Sequence, residues 1–187
     1  MPGTVHVHID GALARVTLAN AGKFNAMSRT MWRELAAAVT RLAARRDLRA
    51  LVVAGEGGHF CAGGDIAEYP DFRFDEAALR DFHEGEVWGG LSALLACDLP
   101  VIAQIEGNCM GAGVEIASCC DIRVAGQGAR FGAPIAKLGF PMAPREAELV
   151  AREVGLATAR QMLLEAAVLD APTMLARGFL QTVLHDA

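Results

Sequence analysis

No stretch of the sequence stays apolar for the roughly 18 residues that a membrane-spanning helix needs. The longest apolar runs are Leu51-Val-Val-Ala54 and Leu91-Ser-Ala-Leu-Leu-Ala96. Positive charge is not in excess: 17 Lys and Arg stand against 22 Asp and Glu, a net of −5. Without a basic stripe to neutralise phosphates, nucleic acid is not an expected partner. The N-terminus, Met1-Pro-Gly-Thr-Val-His-Val-His8, lacks the basic-then-apolar order of a secretory signal. Cysteine is sparse and poorly placed for bridging: there are five, with Cys119 and Cys120 adjacent, and no CxxC pair or His–Cys cluster suits zinc. They read as buried, reduced thiols of a cytoplasmic protein without a metal site. GxGxxG is missing, so the glycines do not read as a dinucleotide fingerprint. Low-complexity segments and obvious linkers are missing too.

What remains suits one globular domain over residues 1–187. Hydrophobic residues make up 53% of the chain and charged residues 21%, which excludes intrinsic disorder. A chain of this size buries about 70% of its unfolded surface and needs no staple. Thr4–His8 and Ala12–Ala19 alternate around Asp10-Gly11 and predict a β-hairpin. Met31, Leu35, Ala38, Val39 and Leu42 recur at helical spacing after Ser28, a candidate N-cap. Leu48–Ala54 reads as a buried strand, 75–96 as a helix weakened by Gly89-Gly90, and Leu99–Ile105 as a strand. A helix over 111–119, a strand over 121–125 and helices over 145–154, 157–167 and 171–176 follow. Beyond the hairpin, strands and helices are expected to alternate without tandem strands, an α/β architecture.

Two segments share a strand–glycine turn–helix design: Phe60-Cys-Ala-Gly-Gly-Asp-Ile66 and Gly107-Asn-Cys-Met-Gly-Ala-Gly-Val-Glu115. Glycine permits close backbone approach, and a helix N-terminus offers amides that lack intrahelical acceptors. Two such amides aimed at one point can hold a developing oxyanion. Either segment alone reads better as only a tight βα turn.

Taken together, the segments resemble the crotonase superfamily, the enoyl-CoA hydratase/isomerase family. The resemblance runs in order through Asn20-Ala-Gly-Lys-Phe-Asn-Ala-Met27, His59–Ile66, Pro100–Gly107, Gly111–Ile122 and Phe131-Gly-Ala-Pro134. It implies a crotonase-like spiral of ββα units and a CoA thioester substrate, with coenzyme A as part of the substrate rather than a tightly bound cofactor. It also implies a homotrimer or dimer of trimers. Relatives continue past the stretch resembling 178–186 with helices that cover the acyl pocket, and that cover is expected to be missing from this sequence.

Roles follow from the resemblance residue by residue. The amides of Gly64 and Ala112 would polarise the thioester carbonyl. Glu115 would act in general acid–base catalysis. Lys23 and Ala26 would meet CoA, and Ala62, Asp65, Ile66 and Gly111 would line the substrate tunnel; Asp65 also suits an N-cap. The second catalytic glutamate of hydratases is replaced here by Ile135. That puts ordinary hydration and double-bond isomerisation in question, and leaves decarboxylation, thioester hydrolysis or a non-catalytic CoA-binding scaffold open beside the favoured hydration of a 2-enoyl-CoA. Glu146 and Glu148, after Pro144, read as favourable charge at a helix start. His6 and His8 read as surface residues, and His59 and His83 are weak catalytic candidates.

Overall fold

A computed structural model describes residues 2–185. Met1 and Asp186, which bounded segments read above, lie outside them. The hairpin forms as predicted: β1 (Thr4–Asp10) and β2 (Leu13–Ala19) pair antiparallel with Val7 opposite Val16. Ala14, Val16 and Leu18 point into the core from β2 while its other face is wetter, the alternation that made the hairpin legible. Four parallel strands extend the sheet in the order β2, β3 (Ala50–Gly55), β4 (Val101–Ile105), β6 (Ile122–Gly126) and β9 (Thr182–Leu184). A second sheet joins β5 (Asn108–Met110), β7 (Arg130–Gly132) and β8 (Val168–Asp170).

The second sheet corrects the expectation of strict alternation. β4 and β5 run in tandem, as do β6 and β7. Each of these extra strands has three residues, too few for a period to show.

Helix α1 (Arg29–Ala43) starts where Ser28 accepts the Met31 amide at 3.2 Å. It buries Met31, Trp32, Leu35, Ala38, Val39 and Leu42. Full burial of side chains this size contributes roughly 1.5–3 kcal/mol each, so packing rather than propensity holds it. The segment expected as one helix over 75–96 divides into α2 (Glu76–Asp81), a π-helical turn (Phe82–Val87) and α3 (Trp88–Leu95). Gly90 is required in α3, because a β-carbon there would sit 2.7 Å from the Trp32 ring.

Helix α4 (Ala112–Ser118) is buried along its whole length. Its C-terminal carbonyls are held by the buried Arg123, whose Nη1 donates to Ala117 at 3.1 Å and Cys120 at 2.7 Å, a cation where the helix dipole favours one. Helix α5 (Pro144–Val154) and α6 (Leu156–Leu163) meet at Gly155. The latter ends four residues short of the expected 167, and Ala166 takes φ +54°. A short α7 (Ala171–Ala176), capped by Asp170, precedes β9. Among the described residues no helix is long and apolar enough to cross a membrane.

Candidate active site

The two glycine turns touch. Gly111 and Gly63 face each other so closely that a β-carbon on Gly111 would lie 3.5 Å from the Gly63 Cα, and one on Gly113 would lie 2.7 Å from the Cys61 carbonyl oxygen. Backbone bonds lock the approach: Cys61 donates to Asn108 at 2.9 Å, and Met110 donates to Cys61 at 2.8 Å. Gly63 at φ +114° and Gly111 at φ +46° adopt conformations that side chains oppose. His59 helps hold this joint: its Nδ1 accepts the Asn108 amide at 3.2 Å and its carbonyl accepts from Asn25 at 2.7 Å.

A cavity of about 210 Å³ opens where the turns meet. Ala62, Gly64, Gly111, Ala112, Glu115 and Ile135 all line it, as does Ile66, which is 55% exposed near its mouth. Ala112 is the first residue of α4, so its amide has no intrahelical acceptor. Gly64 bridges Met27, but its own amide donates to no acceptor among the described residues. Both free amides therefore belong to residues of the cavity wall.

Three residues assigned to the substrate stand beside the cavity rather than in its wall. Lys23 pairs with Asp65 at 2.6 Å. Asp65 also accepts the Ala67 amide at 3.3 Å, capping the 3₁₀ turn Ile66–Asp71. Of the two roles considered for Asp65 in the sequence, the cap forms, while the side chain pairs with Lys23 and does not line the cavity. Ala26 has its amide bonded to Lys23 and its carbonyl to the Asn20 side chain at 2.7 Å.

Glu115 projects from α4 into a largely apolar wall that includes Trp32, Val87, Met110, Pro134 and Met142. Burial, and after it the nearby charge of Glu146, pushes its carboxyl up to about 8. That shift favours the protonated carboxyl at neutral pH.

Glu146 requires a correction. It does stand in the first turn of α5, where the sequence suggested plain helix charge. Yet it is only 3% exposed, lines the same cavity, and has its Oε1 3.3 Å from His83 Nδ1. His83 lies in the π-helical turn and lines the cavity too. Tyr69 was not singled out by the sequence, since no motif marks it. Its ring packs against Phe82 at 5.7 Å and Phe140 at 5.8 Å. Burial pushes its phenol up to about 12, with the Glu115 charge adding to the effect. The cavity is therefore lined by Gly64 and Ala112, whose amides have no acceptor among the described residues, by the buried Glu115, by Glu146 with its partner His83, and by Tyr69 and Phe140.

Residues 8–187 match the family model for enoyl-CoA hydratase/isomerase. The chain belongs to that family. It is 31% identical over 181 residues to a probable enoyl-CoA hydratase, echA8, of Mycobacterium tuberculosis, a match covering 97% of this chain and 68% of the relative. Against probable enoyl-CoA hydratase EchA14 of the same species, identity is 32% over 182 residues, covering 97% and 70%. An enoyl-CoA hydratase/carnithine racemase from Magnetospirillum magneticum superposes with a TM-score of 0.94 at 34% identity, over 98% of this chain and 68% of that one. Pseudomonas aeruginosa AtuE gives 0.92 at 34%, over 98% and 71%. This family member therefore has the crotonase-like fold that its glycine turns implied.

Proposed function

We propose that this enoyl-CoA hydratase/isomerase family member binds CoA thioesters of small or medium acyl groups and adds water to a 2-enoyl-CoA. One observation carries the reading. A buried Glu115, its carboxyl pushed up to about 8, shares a largely apolar cavity with Gly64 and Ala112, whose amides have no acceptor among the described residues. The thioester carbonyl accepts from both amides. As water attacks Cβ, the electron pair of the double bond moves to the carbonyl oxygen, and the resulting enolate is held by donors already in position. One such donor is typically worth about 3 kcal/mol in the transition state. Glu115 delivers its proton to Cα. Lys23, half exposed beside Asp65, is placed to meet a CoA phosphate as a point charge. A homotrimer or dimer of trimers belongs to the same reading, supported by apolar side chains left exposed at Leu138, Leu156, Leu164 and Leu175.

The test is the loss of the conjugated enoyl-thioester absorbance with crotonyl-CoA. Replacing Glu115 by Gln keeps volume and most hydrogen bonding, so turnover is expected to fall ~10²–10⁴-fold while thioester affinity stays similar. An active Glu115→Gln variant refutes the role of Glu115. Thioester binding with no turnover on any acyl-CoA would leave the non-catalytic CoA-binding scaffold as the correct reading.

A further inference from the structure

The position that would carry a second acid in a hydratase holds Ile135, which lines the cavity but exchanges no proton. We infer that Glu146 is the second proton-transfer carboxylate of this site, supplied from the start of α5 and held in place by His83. The inference rests on the function proposed above and adds the residue that reading leaves without a name: the one that takes the proton of the attacking water.

Four observations place Glu146 there. Its side chain lines the same cavity as Glu115 although it comes from another element. It is buried at 3% exposure with one close polar partner, His83 Nδ1 at 3.3 Å. A carboxylate so placed is costly to fold and is not needed where it stands, because α5 already begins with Pro144 and could be capped from solvent. Finally, the turn that presents His83 is fixed from both sides. Glu86 receives Arg29 through two bonds, at 2.9 and 2.7 Å, and Arg33 at 2.9 Å, tying the π-helical turn to α1. Glu84 pairs with Arg145 at 2.8 Å, tying it to α5 beside Glu146. Consecutive residues 83 and 84 thus bind consecutive residues 146 and 145. π-helical turns of this kind recur at functional sites, where they re-aim a side chain.

The step balances within the two carboxyl groups. The water oxygen forms a bond to Cβ while one of its protons passes to Glu146. The Cα=Cβ pair moves onto the carbonyl oxygen, held by the Gly64 and Ala112 amides. The enolate then returns that pair to Cα, which takes the proton of Glu115. The products are the 3-hydroxyacyl thioester, protonated Glu146 and ionised Glu115; exchange of one proton with solvent restores the starting state. Glu146 is the catalytic residue and His83 a positioning residue.

Two readouts test this: hydration of crotonyl-CoA, and exchange of the α-protons of butyryl-CoA in deuterium oxide, which reports enolate formation without water addition. Glu146→Gln is expected to lose at least 100-fold in kcat for hydration with KM within about threefold of the parent. Exposed Glu148→Gln is expected to leave both rates unchanged. His83→Ala is expected to lose about tenfold in kcat, and His83→Asn, which can keep a donor near the Nδ1 position, to recover most of it. A Glu146→Gln variant that hydrates within threefold of the parent overturns the inference. Should that variant fail to fold, the histidine pair decides, and equal rates for His83→Ala and the parent overturn it. Because Glu146 takes a proton from water and none from Cα, Glu146→Gln is expected to keep α-proton exchange within about threefold of the parent while hydration falls; a parent that exchanges α-protons but hydrates nothing overturns the hydration reading and this role of Glu146 with it. A parent that does neither refutes both.

Discussion

The hydroxyl of Tyr69 occupies the space that a side chain on Gly64 would need: a β-carbon there would lie 2.5 Å from the phenolic oxygen, but 3.4 Å from the ring carbon that bears it. The cavity's aromatic rim and its first free amide are therefore fitted to each other. Gly64→Ala should displace Tyr69 or tilt the amide away from the thioester. Activity on crotonyl-CoA is expected to fall at least tenfold, since misdirecting one oxyanion donor costs a few kcal/mol. Removing the hydroxyl relieves the clash, so Gly64→Ala with Tyr69→Phe should recover more activity than Gly64→Ala alone. If the double variant is no better than the single one, the contact is not what fixes the amide.

Glu115 makes stability depend on pH in a direction opposite to most surface carboxylates. Its ordinary value is 4.5 and burial raises it to about 8 in the folded chain. The folded state therefore keeps a proton that the unfolded state has released. The contribution is fully present below about pH 4.5, declines as pH rises, and is gone above about pH 8. At about 1.4 kcal/mol per unit, the parent should lose up to roughly 5 kcal/mol across that window relative to Glu115→Gln. Urea unfolding of both proteins at pH 5 and pH 8.5 checks it. Curves whose separation does not change with pH would show that Glu115 is not held neutral by burial.

The parts of this fold that were legible in the sequence are those whose pattern is local. Alternation in β2 and the spacing from Met31 to Leu42 in α1 each face one core, so the period is visible along the chain. The glycine turns were legible because their backbone conformations admit few other residues, and Glu115 because it follows one of them by a single helical turn. What could not be read is tertiary. The π-helical turn depends on Arg29 and Arg33 reaching Glu86 from 57 and 53 residues away. The strands β5, β7 and β8 exist through pairing rather than through any period of their own. Glu146 sits at a helix position where acids are ordinary, and only the loop that swings α5 against α4 turns it inward. Tyr69 has no sequence neighbour that announces it; its place is set by Phe82 and Phe140, 13 and 71 residues on.

If Glu146 does the work usually done from the position of Ile135, the carboxylate should be movable between them. Both residues line the cavity, one from the start of α5 and one from the 3₁₀ turn Ile135–Leu138. Ile135→Glu in the parent would crowd a third carboxyl against Glu115 and Glu146. Desolvation and like charge would then hold the new group protonated, so little gain in rate is expected and a loss is compatible with the geometry. In the Glu146→Gln background the competing charge is gone, and the new carboxylate can ionise at lower cost. Hydration of crotonyl-CoA should then rise at least tenfold above Glu146→Gln alone, while remaining below the parent, because no His83 contact orients the new side chain. Measuring kcat for the parent, both single variants and the double variant closes the cycle. An Ile135→Glu substitution that has the same proportional effect in both backgrounds would show that the two positions do not share a role, whereas rescue confined to the Glu146→Gln background would identify the carboxylate itself, rather than the element that carries it, as what the reaction needs.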